Sequence, residues 1–197
     1  MSRLFDRLQQ LYLAGEASAP PQLWNDPRLH GDEAFRPAAV LIAVTEREAP
    51  GMLLIHRPSH MRAHPGQIAF AGGSVDPGET PIAAALREAE EELGIDQALV
   101  RVIGTSDLYH SGSGFEITPV LALVPGDIAI TPNPTEVAQW FEAPLDHVLN
   151  PANQVQQWIE REGVRHPFIE IMWHEHRIWG VTAAIIYNLT QRLNWHG

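Results

Sequence analysis

Hydrophobic positions along the chain follow two periods, and where one gives way to the other marks the elements. Leu4, Phe5, Leu8, Leu11 and Tyr12 share one side of a 3.6-residue repeat, which predicts an amphipathic helix over Ser2 to Ala14 with Ser2 near its cap. That helix needs an apolar surface to rest on, either the domain or a partner subunit. Gly15 to Arg36 has no repeat and contains Pro20, Pro21 and Pro27, so an extended linker is expected. Apolar runs at Ala38 to Thr45 and Met52 to Arg57, split by polar Glu46 to Gly51, predict a hairpin of well-buried strands, and Pro58 to Gly66 a loop.

A second helical repeat is punctuated at both ends. Asp76-Pro77-Gly78 is a turn signal, Thr80 suits an N-cap, Pro81 suits the first helical position, and Gly94 suits the stop. Between them Ile82, Ala85, Leu86, Ala89 and Leu93 make an apolar face. Beyond it the pattern predicts strands at Val100 to Ser106 and Phe115 to Val124, with Tyr109 to Gly114 a Gly/Ser loop that could line a pocket. Pro125 to Thr135 is turn-rich, Glu136 to Glu142 a further strand, and Asp146 to Asn150 one helical turn. Pro167 to Trp173 and Arg177 to Trp179 form a hairpin with His174-Glu175-His176 as its polar tip, and Val181 to Leu193 is a final helix. Strands around one interposed helix, with helices at both ends, imply an α+β chain: an α/β/α sandwich with a mixed sheet. The expected organisation is a helix and linker over 1–36 and one globular unit over 37–197.

Composition narrows the function. A chain of 197 residues suits one domain that buries roughly 70% of its unfolded surface. With no Cys, disulfides, zinc–thiolate sites and thiol catalysis are excluded. No run of eighteen apolar residues and no secretory signal is visible, so the cytoplasm is the expected compartment. The formal net charge of −11 argues against nucleic acid and anionic membranes as partners. A small anionic substrate has to be met locally, and because all 13 basic residues are Arg, by guanidinium forks and backbone N–H groups.

The candidate chemistry lies on the punctuated helix. Glu88, Glu91 and Glu92 stand at i, i+3 and i+4 and project from about one turn, where like charges repel by roughly 0.2–0.5 kcal/mol per pair. A hard cation such as Mg²⁺ or Mn²⁺ among the oxygens resolves the repulsion. Upstream, His56, His60 and His64 are spaced by four, but Pro58 and Pro65 oppose the helix that a metal site at that spacing needs. Arg57 and Arg62 flank the same loop and could neutralise phosphates that the glutamates repel.

Gly73, five residues, Glu79, seven residues, then Arg87-Glu88-Ala89-Glu90-Glu91-Glu92-Leu93-Gly94-Ile95 resembles the Nudix hydrolase signature at every fixed polar and glycine position. The preceding Leu53 to Gly73 resembles the element upstream of that box in the coenzyme A pyrophosphatase subfamily. It keeps Leu53, Leu54, Arg57, Arg62, Gly66, Phe70, Gly72 and Gly73, and departs at Ile55, Pro58 and Ala71. The resemblance implies the Nudix fold, Mg²⁺ or Mn²⁺ as cofactor, and hydrolysis of coenzyme A or acyl-CoA to 4′-phosphopantetheine (or its acyl form) and 3′,5′-ADP. It implies Glu88 and Glu92 as primary metal ligands, Glu91 as a further ligand or base, and Gly73 within the metal site. Arg57, Arg62, Gly66 and Phe70 are then the substrate-binding set, while Glu79 and Arg87 orient loop and helix through a salt bridge. Glu116 and Glu136 are alternative bases. Rival expectations are a Nudix enzyme for ADP-ribose or NADH, a noncatalytic Nudix-like sensing module, and a purely structural acidic domain. A homodimer, through the apolar N-terminal helix or some of the six Trp, is left open.

Overall fold

The structure, a computed structural model, describes residues 3–18, 22–29, 34–59, 66–161 and 163–196, with Arg161 described in its backbone alone. Ser2, His60, Arg62 and His64 lie outside the described residues. Helix α1 (Arg3–Ala17) leads into β1 (Arg36–Glu46) and β2 (Gly51–His56), then two short strands β3 (Ile68–Ala69) and β4 (Ala71–Ser74). Helix α2 (Pro81–Leu93) is followed by β5 (Arg101–Thr105), β6 (Tyr109–Ser111), β7 (Phe115–Pro125), β8 (Gln139–Pro144) and a helical turn α3 (Leu145–Val148). Strands β9 (Val155–Arg161), β10 (Val164–Trp173) and β11 (His176–Trp179) precede the last helix, α4 (Val181–Leu193).

The first eight strands form one mixed sheet, in which β1 runs parallel to β7 and the other pairings are antiparallel. Alternation along β1 and β7 then separates two cores. Ala39, Leu41, Ala43, Val120, Ala122 and Val124 face α2, whose Ala84, Ala85, Ala89 and Leu93 close that side. Ile42, Val44, Leu121 and Leu123 face α1 and α4, contributing Leu8, Ile185, Ile186 and Leu189. The result is the expected α/β/α sandwich with a mixed sheet.

Helix α1 docks on its own domain. Leu8 is fully buried, Tyr12 Oη donates to Thr105 O at 3.0 Å, and Arg192 of α4 donates to Gly15 O at 3.0 Å while forking onto Asp107. Glycine at position 15 is what lets the α4 backbone approach there, since a Cβ would overlap Arg192 O.

Four expectations need correction. Tyr109 to Ser111 is a strand rather than loop, because the chain reverses only at Ser111 to Gly114, where Gly114 N–H reaches Ser111 O at 2.9 Å. Residues 134–136 form a turn, so β8 starts at Gln139 rather than Glu136. Ile82 is 36% exposed and the helix instead buries Ala84, which turns the apolar stripe toward the small residues that let α2 lie close to β1. His176 is buried rather than a polar tip: it stacks on Phe141 with 3.7 Å between ring centroids and shares a 2.9 Å hydrogen bond with His56. The hairpin is itself part of a three-stranded sheet that includes β9, where no strand was expected. Among the described residues no helix is long and apolar enough to cross a membrane.

Candidate active site

The site is assembled where β4 turns into α2. Glu79 N–H closes the Asp76 turn at 3.0 Å with Gly78 at φ 85°, and Thr80 Oγ1 accepts from Ala83 N–H at 3.2 Å. Gly94 ends the helix in the left-handed region. The turn, the N-cap and the C-terminal stop expected for this stretch are all present. The helix therefore returns antiparallel to β4 at a fixed depth, and its carboxylates meet the strand backbone.

That approach is what the glycine pair permits. A Cβ at Gly73 would overlap Glu88 Oε1 and sit 2.7 Å from its Oε2, while one at Gly72 would overlap Ala39 O and come 2.7 Å from Val40 Cα. With both absent, Gly72 N–H donates to Glu92 Oε2 at 3.1 Å.

Glu92 is only 3% exposed and lies on the core side of the helix, in line with Ala85 and Ala89. Among the described residues its one hydrogen-bond donor is Gly72 N–H. Burial pushes its carboxyl up to about 8, against the lowering pull of that bond and of Arg57. Glu88 is half-buried, and desolvation raises its pKa even though Arg87 opposes the shift. Glu91 is elsewhere: its side chain is 54% exposed and pairs with Arg87 Nη1 at 3.1 Å. Glu90 points away, onto Gln97.

Arg87 is the hub of the loop and helix. It forks onto Glu79 at 3.0 and 3.1 Å, reaches Glu88 Oε1 at 2.9 Å, and donates to Ser74 O at 3.1 Å. The guanidinium in turn holds the Glu79 carboxyl below its ordinary value. The Glu79–Arg87 pair is thus present as expected, with three further partners, Glu88, Glu91 and Ser74 O.

Glu88 and Glu92 open into a cavity of about 520 Å³, bounded by Arg57, Phe70, Gly73 and Glu136. Arg57 frames the loop between β2 and β3, its N–H bound to Gln67 O at 2.9 Å and its carbonyl accepting from Gly66 N–H at 3.1 Å. Its Nε is buried without a partner among the described residues. Phe70 is buried in the wall, whereas Gly66 is exposed and outside the lining.

Glu136 was one of two alternatives for a base, and only tertiary structure places it. Thr131 N–H and Asn133 N–H bond to Leu93 O and Glu92 O at 2.8 and 2.9 Å, capping the helix carbonyls with the loop that carries Glu136. Glu116 sits off the cavity and pairs with His110 at 2.9 Å, its neighbours Phe115 and Ile117 facing inward instead.

Among the described residues no three His, Asp or Glu side chains form a ready-made metal cage. The donor set nonetheless fits a hard divalent ion. One buried and one half-buried carboxylate with raised pKa values, repelled by each other and by Glu136, lose that repulsion and the desolvation cost once a cation joins them.

The NUDIX domain family profile matches residues 34–168. The Nudix hydrolase NudL of Enterobacter sp. (strain 638) is 44% identical over 160 residues, covering 80% of this chain and 83% of that protein. NudL of Yersinia pestis (strain Pestoides F) is 43% identical over 161 residues, covering 81% and 80%. The crystal structure of a Nudix hydrolase from M. smegmatis, RenU, aligns with a TM-score of 0.51 at 25% identity, covering 63% of this chain and 80% of that one. A family profile spanning most of the chain and relatives above 40% identity over four-fifths of it agree with the helix and its carboxylates, and the chain belongs to the Nudix hydrolases, enzymes that act on diphosphate bonds.

Proposed function

We propose that the protein hydrolyses the diphosphate of coenzyme A or acyl-CoA, giving 4′-phosphopantetheine or its acyl form and 3′,5′-ADP. The observation that carries this reading is Arg57, whose Nε is buried without a hydrogen-bond partner among the described residues, in the cavity that also holds Glu88 and Glu92. A buried donor left unmade is costly, and a phosphate oxygen is the acceptor a guanidinium fork suits best. Arg57 belongs to the upstream segment that resembles the coenzyme A pyrophosphatases.

Nudix hydrolases generally use divalent metal ions. Glu88 and Glu92 would hold the ion, with Glu91 and Gly73 as the further candidates, and a bound Mg²⁺ or Mn²⁺ supplies positive charge to the diphosphate oxygens. The chain's own part is positional. Arg87 fixes Glu88 and the loop, Arg57 pairs with a phosphate, and Glu136, across the cavity, takes the proton of the attacking water. Water then adds to one phosphorus as the bridging P–O bond breaks, and the departing phosphate leaves as its anion.

Incubation with CoA, acetyl-CoA, ADP-ribose and NADH, each with and without Mg²⁺ or Mn²⁺, is expected to release 3′,5′-ADP from CoA fastest, and only with metal. Arg57→Ala should cut kcat/KM for CoA by about 10²-fold, the scale of a lost charge-assisted contact to phosphate. Turnover confined to ADP-ribose or NADH would remove the coenzyme A assignment and leave the hydrolase. Glu136→Gln should lower kcat by about 10²–10⁴-fold while metal affinity holds. A kcat within threefold of the parent would pass the base role to Glu91.

A further inference from the structure

A second cavity of about 260 Å³ opens beside the catalytic one, and Gln67 and Val181 line both. Its chemistry is different. Trp24, Tyr109, Phe168 and Trp179 bring four aromatic side chains to it, with His166 beside them. None of these belongs to the catalytic helix or to the segment before it. Whole drug-sized ligands occupy roughly 300–1,000 Å³, so a space of this size suits one end of a longer molecule.

The cavity wall is a built feature. Trp24 lies on the strap formed by residues 22–29, and Asn188 of α4 clamps that strap: Trp24 N–H donates to Asn188 Oδ1 at 2.7 Å, and Asn188 Nδ2 donates to Trp24 O at 3.1 Å. An amide buried in an apolar helix face is costly unless bonded, and here the clamp satisfies both its ends. The indole also meets Tyr187 edge-on at 6.0 Å. Farther along, buried Asp26 accepts two bonds from the Arg28 side chain and one from Gly112 N–H at 2.8 Å, so the strap presents no unpaired carboxylate to the cavity. Tyr109 is 4% exposed and lines the cavity, and its phenol has no hydrogen-bond partner among the described residues.

We infer that this cavity is the nucleobase subsite: with the diphosphate beside Arg57, Glu88 and Glu92, the nucleoside arm passes Gln67 and Val181 and its base lies among Trp24, Tyr109, Phe168 and Trp179. The inference rests on the reading of the substrate as a nucleoside diphosphate derivative. Aromatic faces stack on any base, and the ring nitrogens of a base offer the acceptor that the Tyr109 hydroxyl lacks. A pantetheine arm has no π-face. Its match is the aliphatic wall of the larger cavity, which Val40, Ile68, Ile117 and Ile185 line.

The test uses the full chain with Mg²⁺ and two ligands that each carry one half of coenzyme A: adenosine 3′,5′-bisphosphate and 4′-phosphopantetheine. Phe168→Leu and Trp179→Leu are expected to weaken the bisphosphate at least fivefold in calorimetry and to leave phosphopantetheine within twofold, with KM for CoA rising more than kcat falls. Tyr109→Phe keeps the ring and the packing, which guards against a folding artefact, and should weaken the bisphosphate about threefold or more. Bisphosphate binding that is absent in the parent or unchanged in all three variants would overturn the subsite, as would selective loss of phosphopantetheine. The two readings also fail separately. Intact CoA together with weakened bisphosphate binding in the variants removes the coenzyme A assignment and keeps the base subsite; CoA hydrolysis with unweakened bisphosphate binding does the reverse.

Discussion

Glu92→Gln is expected to abolish metal-dependent turnover, by about 10³-fold or more, and at the same time to stabilise the metal-free protein at alkaline pH. Loss of activity follows from the proposed role of Glu92, since the variant removes the charge that would hold the cation. Stabilisation follows from burial. The Glu92 carboxyl titrates near 8 in the folded chain because it is desolvated, against about 4.5 when exposed. Below pH 4.5 both states hold the proton and nothing is lost. Between there and pH 8 the unfolded chain ionises while the folded one does not, so stability falls as pH rises and levels off above pH 8. The expected loss is of order 2–4 kcal/mol, or about 5–10 °C in Tm for a domain of this size. Thermal denaturation in EDTA at pH 5 and pH 8 measures it directly. The parent should lose Tm across that interval, Glu92→Gln should lose much less, and added Mg²⁺ or Mn²⁺ should restore the parent alone. Equal pH slopes for the two proteins would mean that Glu92 titrates as an ordinary surface carboxylate, contrary to its place against Gly72.

How much of this site could be read from the chain depends on how far apart its parts lie in sequence. The turn at Asp76, the Thr80 cap, the Gly94 stop and the Glu79–Arg87 pair are all local, set by residues within about two helical turns, and the structure has them as expected. Glu92 was expected to share an outward face with Glu88 and Glu91. A helical wheel gives angles between side chains but not which angle meets the sheet, and the small Ala84, Ala85 and Ala89 let the helix settle with Glu92 turned inward. The mixed sheet followed from the order of elements, while β9 did not: Val155 and Trp158 are about half exposed among polar neighbours, so neither an alternating nor a continuous apolar pattern marks the strand. His176 shows the same limit. Its partners, Phe141 and His56, lie 35 and 120 residues away, and a His-Glu-His run reads as a polar tip until the two sheets are brought together. Glu136 reaches the cavity only because the loop before it caps the far end of α2. Arg62, given equal weight with Arg57 from the sequence, lies outside the described residues, so the phosphate-binding argument rests on Arg57.

The two adjacent glycines of β4 separate folding from catalysis, since an added methyl group meets a different neighbour at each. At Gly72 the neighbours are Ala39 O and Val40 Cα, backbone atoms of the central strand that cannot swing aside. Gly72→Ala should therefore push β4 off β1, with a stability cost of about 1–3 kcal/mol and loss of the Glu92 hydrogen bond. At Gly73 the neighbour is the end of the Glu88 side chain, which can rotate. Gly73→Ala should leave Tm within a few degrees of the parent but move Glu88 by about an ångström, enough to cost on the order of 10²-fold in kcat. Its metal affinity should fall in step, because the displaced group is a proposed ligand. Paired measurements of Tm, Mn²⁺ affinity and kcat on the two variants decide the matter. If Gly73→Ala bound Mn²⁺ and turned over like the parent, Glu88 would have no part in the metal site, and the carboxylates holding the ion would have to be Glu92 with Glu136 or Glu91.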